Sequence, residues 1–199
     1  MKTFLTIIAI FSMTLLYAQE CSKENAVKYQ KQLNKEYANP KESPLTKKDF
    51  KRFKSLDFYP VSLEYCVEAK FVRTPNEKAF EMTTTTSRKP MYVKYGEVTF
   101  ELQGRKCKLD VFQSLDLIKQ EEYKDALFLP FTDYTSGNGS YGGGRYIDLK
   151  QSKGSTMVID FNTAYNPYCA YNHAYSCPVP PAQNDLKVEV KAGVKEYKH

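Results

Sequence analysis

The alternation of apolar and polar residues between Val61 and Phe71 is the feature that most constrains how this chain can fold. In the segment VSLEYCVEAKF, apolar residues stand at every second position, and mainly charged or small residues stand between them. Successive side chains of a β-strand point to opposite faces, so a period of two predicts a strand with one buried face. The chain is therefore expected to fold around a β-sheet.

Other segments have the same strand character and are separated by short turns. They are Ala79–Thr86, Met91–Lys94, Glu97–Leu102, Lys106–Gln113, Tyr146–Leu149, Met157–Phe161 and Leu186–Val190. Tyr95-Gly96 and Gln103-Gly104 mark tight turns, and 121–127 is expected to form one or two helical turns. Such spacing is typical of antiparallel meanders. The predicted fold class is mainly β (α+β), an antiparallel β-barrel or sandwich-like meander with short N-terminal helices.

Two helices are predicted before the first strand. Residues 22–38 carry Tyr29, Leu33 and Tyr37 at a spacing of four, which places them on one face of a helix that ends before Pro40. Thr46 stands three residues before Asp49, a pattern that favours a capped second helix through Lys54.

The N-terminus has the pattern of an export signal. Lys2 precedes an apolar run from Phe4 to Leu16, and Ala18 stands before a predicted cleavage at Gln19. We expect residues 1–18 to be a signal peptide, 19–58 an N-terminal helical segment and 59–199 an antiparallel β domain. The mature protein is then periplasmic or extracellular, without a transmembrane segment. The alternative is a lipoprotein acylated at Cys21, which Glu20 disfavours because lipoprotein signals place a small residue there.

Charge and motif content argue against several classes of partner. The 29 basic and 23 acidic side chains are spread along the chain, so we expect a solvated cationic surface and no nucleic acid partner. Residues 137–142 match G-x-G-x-x-G but lack the strand before and the helix after that a dinucleotide site needs. No cofactor is expected, and the oligomeric state stays open.

The segment from Leu127 to Pro181 is expected to form the wall of a site, because it is long and aromatic without clear periodicity. Asp148 and Asp160 each follow an apolar strand, so they could act as an acid–base pair or simply accept hydrogen bonds in turns. Arg145 falls on the face opposite Asp148, and could pair with Asp160 or Asp133 or bind a ligand carboxylate.

The cysteines of this segment allow three interpretations. Cys169 and Cys177, with His173 between them, could bind a metal, act as thiols or form a disulfide. Export and the missing fourth ligand favour the disulfide, so no metal site is expected. In this interpretation Cys21, Cys66 and Cys107 stay unpaired, with Cys107 in the core.

Residues 130–149 and 159–193, with VKYGEVTFELQG upstream, resemble the bacterial family catalogued as domain of unknown function 1684 (DUF1684). The resemblance runs from about Tyr59 onward and implies no activity, cofactor or catalytic residue. We predict a small polar ligand, such as a sugar or carboxylated metabolite, bound in a pocket walled by residues 131–181. The alternatives are a hydrolase that uses Asp148 and Asp160, or a structural or partner-binding envelope protein, so enzymatic activity is left undecided. The candidate binding residues are Asp133, Arg145, Tyr146, Asp148, Asp160, Asn162, Tyr165, Asn166 and Tyr171.

Overall fold

The computed structural model describes residues 21–198, whose centre is an antiparallel sheet curved into a half-barrel. Its strands are β1 (Cys66–Arg73), β2 (Phe80–Glu81), β3 (Met91–Leu102), β4 (Arg105–Ser114), β5 (Ala126–Phe131), β6 (Arg145–Lys150) and β7 (Thr156–Asp160). Their order is β6-β5-β4-β3-β1-β7, with β2 paired to β3. The predicted fold class is confirmed. The predicted signal peptide lies outside the described residues, and within them no helix is long and apolar enough to cross a membrane.

The predicted break at Tyr95-Gly96 is a β-bulge inside one long strand, β3. The register with β4 shifts between Lys94 and Gly96 while pairing continues on both sides. A Cβ at Gly96 would stand 2.4 Å from the Phe71 ring, so only glycine lets β1 and β3 approach this closely. The second predicted turn is confirmed, since Gln103 and Gly104 both have positive φ between β3 and β4.

Several strand boundaries differ from the prediction. β1 begins only at Cys66, because Leu63–Tyr65 form a 3-10 turn whose first backbone groups are capped by Ser62. The return strand predicted over 79–86 is reduced to β2. β5 was predicted as part of the irregular segment. Its sequence ALFLPF has no polar alternation, because it is largely covered on both faces, and such strands resemble uniform apolar runs.

The main core lies against one face of the sheet and is completed by the C-terminal segment. Leu186, Val188 and Val190 are buried in it, as their alternation indicates. The strand predicted for 186–190 is nevertheless wrong, because this segment forms no ladder. Its backbone bonds instead to the loop after β5, where Leu186 N–H donates to the Thr132 carbonyl at 2.8 Å.

Asn184 connects two strands that barely pair with each other. β4 and β5 share one paired position, Phe112 with Phe128. The Asn184 amide spans the gap: it accepts from Asp110 N–H at 2.8 Å and donates to the carbonyls of Asp110 at 2.8 Å and Pro130 at 2.7 Å. It is fully buried, so these backbone groups have no access to water.

We expect Asn184→Ala to lower the free energy of unfolding by about 2 kcal/mol, since buried backbone groups lose their partners. Urea unfolding followed by far-UV circular dichroism measures the change. Asn76→Ala is the matched control, because Asn76 is exposed in a turn and its loss should cost almost nothing. Equal stability of the two variants would contradict the bridging role.

Two helices precede the sheet, α1 (Lys23–Ala38) and α2 (Lys47–Phe50), and both predictions are confirmed in outline. Leu33 and Tyr37 of the predicted stripe are buried against Tyr171 and Val194. The Thr46 side chain accepts from Asp49 N–H at 3.1 Å, which confirms the predicted cap. α2 ends at Phe50 rather than at Lys54.

The cysteine pairing differs from the prediction. Cys21 and Cys66 form a disulfide with a Cα–Cα distance of 5.6 Å, whereas Cys169 and Cys177 are free thiols, so the predicted bridge is not formed. Cys21 and Cys66 are brought together by the tertiary structure. α1 packs on the turn after β7, and β1 pairs with β7, so Cys21, two residues before α1, comes to the start of β1. The sulfur of Cys21 cannot hold both this bridge and a lipid. Cys107 is buried in the core, as predicted.

Candidate functional site

Arg145 and Asp133 form a buried ion pair that holds the C-terminal segment. Both side chains are inaccessible to solvent, and Arg145 Nη2 lies 3.2 Å from Asp133 Oδ1. The guanidinium also donates to the carbonyls of Val190 at 2.8 Å and of Ala192, and Asp133 Oδ2 accepts from Val190 N–H at 2.6 Å. Burial lowers the pKa of Arg145, and the charge of Asp133 opposes this shift. The predicted pairing with Asp133 is found, and Arg145 has no surface left for a ligand.

Asp160 and Asn162 connect the end of β7 to the segment before β1. One Asp160 oxygen accepts from Asn162 N–H at 3.0 Å and from its Nδ2 at 2.7 Å. The Asn162 amide then bonds to both backbone groups of Ser62. Asp160 is thus held in a turn, the structural alternative weighed for it, and the structure does not bring it together with Asp148 as an acid–base pair.

Asn166 and Tyr171 lie where α1 docks on the β part. Both are fully buried. Asn166 Nδ2 donates to the Lys195 carbonyl at 2.9 Å, and the Tyr171 ring meets Tyr37 of α1 edge to face at 4.9 Å. These two candidates are therefore placed in packing contacts and not in a cavity wall.

Asp148 and Tyr165 meet at the outer face of the sheet, away from the main core. Asp148 lies on β6 opposite Phe128 of β5, and its carboxylate accepts from the Tyr165 hydroxyl at 2.9 Å. Tyr165 is held there by reciprocal backbone bonds with Tyr146, at 2.9 and 3.0 Å, which add it to the edge of β6. The position of the hydroxyl is therefore set by the backbone.

Aromatic rings continue from Tyr165 across the neighbouring strands. Tyr146 meets Tyr165 at 5.7 Å and Phe128 at 4.8 Å, both edge to face, and Phe128 meets Tyr92 at 5.8 Å. The Tyr146 hydroxyl donates to the Pro178 carbonyl, which holds the loop after Cys177 over this row. We call the surface formed by Asp148 and these four rings the Asp148 recess.

Asp148 is exposed to solvent although protein atoms surround its carboxyl group. The residue is exposed to solvent, yet burial raises the pKa of its carboxyl, against the lowering effect of the Tyr165 hydroxyl. Both statements hold when water reaches the group while protein surrounds it on most sides. Within residues 21–198, Asp148 takes part in no ion pair.

Two further tyrosines, Tyr29 and Tyr168, lie around the recess on other elements, and they share one electrostatic feature with Tyr92. Burial raises the pKa of Tyr29 on α1, of Tyr92 on β3 and of Tyr168 in the 3-10 turn Tyr168–Ala170, and the negative charge of Asp148 adds to the shift in each. The prediction did not include them. Tyr29 and Tyr92 lie outside the 131–181 segment. In the sequence, only the face of the helix or strand that each occupies could have identified them as site residues.

The arrangement offers an accessible carboxylate, a fixed hydroxyl and aromatic faces, which suit a cation or a hydrogen-bond donor. Across residues 21–198, no group of three or more His, Cys, Asp and Glu side chains is placed to hold a metal ion.

Comparisons with known proteins give a family and a fold. A family model described as protein of unknown function (DUF1684) matches residues 51–195, which confirms the predicted resemblance. The chain is also similar to the solution NMR structure of the uncharacterized protein from gene locus rrnAC0354 of Haloarcula marismortui. The identity is 29%, the TM-score is 0.68, and the match covers 86% of this chain and 92% of that one. Comparison with curated proteins gives no match.

Proposed function

Because the chain belongs to the DUF1684 family, which has no established function, we propose a function from the Asp148 recess: the protein binds a small ligand that carries an ammonium or guanidinium group. One observation carries the proposal. An accessible carboxylate stands among aromatic rings without a cationic partner in the described chain, while burial acts against its charge.

A cationic ligand would offset the unfavourable effect of burial on the charged Asp148 carboxylate. Its charge would pair with the carboxylate, and the faces of Tyr29, Tyr168 or Tyr92 would add cation–π attraction of about 0.5–2 kcal/mol each. Tyr165 holds one Asp148 oxygen in place, so the other oxygen is left to accept from the ligand. Little side-chain entropy is then lost on binding, since the carboxylate is already oriented.

The structure favours a cationic ligand over the sugar and the carboxylated metabolite that the sequence predicted. A carboxylated metabolite was predicted to use Arg145, whose side chain is inaccessible to solvent and paired with Asp133. A sugar remains compatible with a carboxylate and aromatic walls, but it would leave the charge of Asp148 unpaired. The neutral sugar therefore serves as the competing outcome of the test.

We also propose that the protein is exported. The predicted signal at residues 1–18 is one support, and the Cys21–Cys66 disulfide is a second, because such bridges persist in oxidising compartments.

The ligand prediction is tested with agmatine, which has an ammonium and a guanidinium group, beside glucose and succinate. We expect agmatine alone to shift the NMR signals of the Asp148 carboxyl and the Tyr165 ring in a saturable manner. Asp148→Asn keeps an acceptor for the Tyr165 hydroxyl and removes the charge, so it should weaken binding roughly tenfold or more. Asp57→Asn is the control, since Asp57 is exposed and is paired with Lys195 and not with a residue of the recess.

Two results would contradict the proposal. One is a response to glucose at the recess without a response to agmatine, which would support the sugar. The other is agmatine binding that Asp148→Asn leaves unchanged, which would place the cation elsewhere.

A separate prediction concerns stability and pH. The pKa of Asp148 is raised in the folded protein, so between the unfolded value of about 3.9 and the folded value the native state binds more protons. Stability therefore falls as the pH rises through this window. We expect Asp148→Asn to increase the melting temperature at about pH 7 and to have little effect at about pH 3. A loss of stability in Asp148→Asn at neutral pH would show that the charge is stabilised.

A further inference from the structure

Cys169 and Cys177 lie side by side although they are not bonded. Cys169 belongs to the 3-10 turn Tyr168–Ala170, and its N–H donates to the sulfur of Cys177 at 3.1 Å. Cys177 is fixed on the other side by Thr85, which accepts from its N–H at 3.1 Å and donates its own N–H to the Cys177 carbonyl at 2.9 Å. The two sulfurs are thus held close together by backbone contacts.

The surroundings favour a thiolate on Cys169. A hydrogen bond from the Cys177 thiol lowers the pKa of Cys169 to about 6, against burial, and the hydroxyls of Tyr141 and Thr85 act in the same direction. The Tyr141 oxygen lies 3.9 Å from the Cys169 sulfur. The same interaction raises the pKa of Cys177, which therefore keeps its proton. Arg88, which is bonded to Ser176, adds a positive charge near Cys177 that partly opposes this rise.

We propose that Cys169 and Cys177 form a hydroperoxide-reactive site, in which Cys169 is oxidised and Cys177 converts the product to a disulfide. The geometry provides both parts of such a site: a sulfur surrounded by hydrogen-bond donors, and a second thiol in contact with it. The proposal does not rest on ligand binding at the Asp148 recess.

The reaction needs only a hydroperoxide as oxidant. The Cys169 thiolate attacks one peroxide oxygen, the O–O bond breaks, and a sulfenic acid forms while hydroxide leaves and takes a proton. The Cys177 sulfur then attacks the sulfenic sulfur, its proton goes to the departing hydroxyl, and water leaves as the S–S bond forms. Two electrons pass from the two thiols to the peroxide, and with hydrogen peroxide the product is water.

Cys107 is an internal control for access. It is the third free thiol of residues 21–198 and is 7% exposed, against 4% for Cys169 and 5% for Cys177. A small peroxide therefore meets similar steric hindrance at all three. Burial raises the pKa of Cys107, whose sulfur donates weakly to the Arg105 carbonyl at 3.6 Å, so chemistry and not exposure separates it from Cys169.

The purified protein, reduced under native conditions and freed of reductant, is treated with hydrogen peroxide and then digested without reduction for mass spectrometry. We expect a peptide that links Cys169 to Cys177 to appear at least about fivefold faster than any oxidation of Cys107, after allowing for the lower nucleophilicity of an acidic thiol. Cys21–Cys66 re-forms separately and is identified by its own peptides. Equal oxidation of Cys107 and Cys169 in the wild-type protein would overturn the proposal.

Two variants assign the roles. In Cys177→Ser the sulfenic acid of Cys169 has no thiol to react with, so it should accumulate and be trapped by dimedone at Cys169. In Cys169→Ser, Cys177 should react no faster than Cys107. If dimedone instead reacts at Cys177 in Cys169→Ser, the roles of the two cysteines are the reverse of those proposed. If dimedone reacts with neither variant, and both have the circular dichroism spectrum of the wild-type protein, the proposal of a peroxide-reactive site is overturned.

Discussion

Replacing Arg145 with methionine should lower the free energy of unfolding by about 3–5 kcal/mol, as expected when one member of a buried ion pair is removed. Methionine fills much of the volume but leaves Asp133 charged and without its cation. It also removes the donor to the carbonyls of Val190 and Ala192, in a place that water does not reach. Urea unfolding can be followed by tyrosine fluorescence, since the chain has 16 tyrosines and no tryptophan.

The matched control is Arg105→Met. Arg105 is exposed and donates to the Lys187 carbonyl at 3.2 Å, so its loss should change stability by less than about 0.5 kcal/mol. In the double variant Arg145→Met, Asp133→Asn the uncompensated charge is gone, and part of the stability should return. Similar effects of Arg145→Met and Arg105→Met would show that the pair does not hold the C-terminal segment.

Removal of the Cys21–Cys66 bridge should have the second large effect. The bridge joins residues separated by 45 positions, for which the chain-entropy treatment gives about 4 kcal/mol. Cys21 is exposed and Cys66 half-buried, so the variant Cys21→Ser, Cys66→Ser loses little packing. We expect it to unfold at a clearly lower urea concentration than the wild-type protein.

The wild-type chain treated with a reductant is the control for this prediction, because it lacks the bridge without any substitution. Both forms should unfold together. A change below about 1 kcal/mol in either would mean that closing this loop restricts the unfolded chain very little.

Features set by neighbouring residues were predictable from the sequence. The Thr46 cap, the Gln103-Gly104 turn and the Tyr29–Leu33–Tyr37 stripe depend on groups within one or two turns of chain, and all three are found. The family was also recognised from local motifs. Strand limits were less predictable, since β5 is buried on both faces and its apolar run has no period to identify it.

The candidate site depended on contacts that no local pattern encodes. Asp148 and Tyr165 were predicted, but their partners come from β5, β3 and α1, far away in the sequence. Arg145 was predicted as a binding residue like Asp148, but it is buried because the C-terminal segment crosses over it.

The sequence by itself determined the apolar alternation that identifies strands such as β1, the Thr46 helix cap, the Gln103-Gly104 turn and which residues are apolar enough to be buried. The tertiary structure alone decided that Leu186–Val190 forms no ladder, that Cys66 bonds to Cys21, and that Arg145 faces inward. The physical reason is the range of the interactions. Hydrogen bonds within a turn are set by adjacent residues, whereas a disulfide, a buried ion pair or a recess forms only once distant segments have packed together.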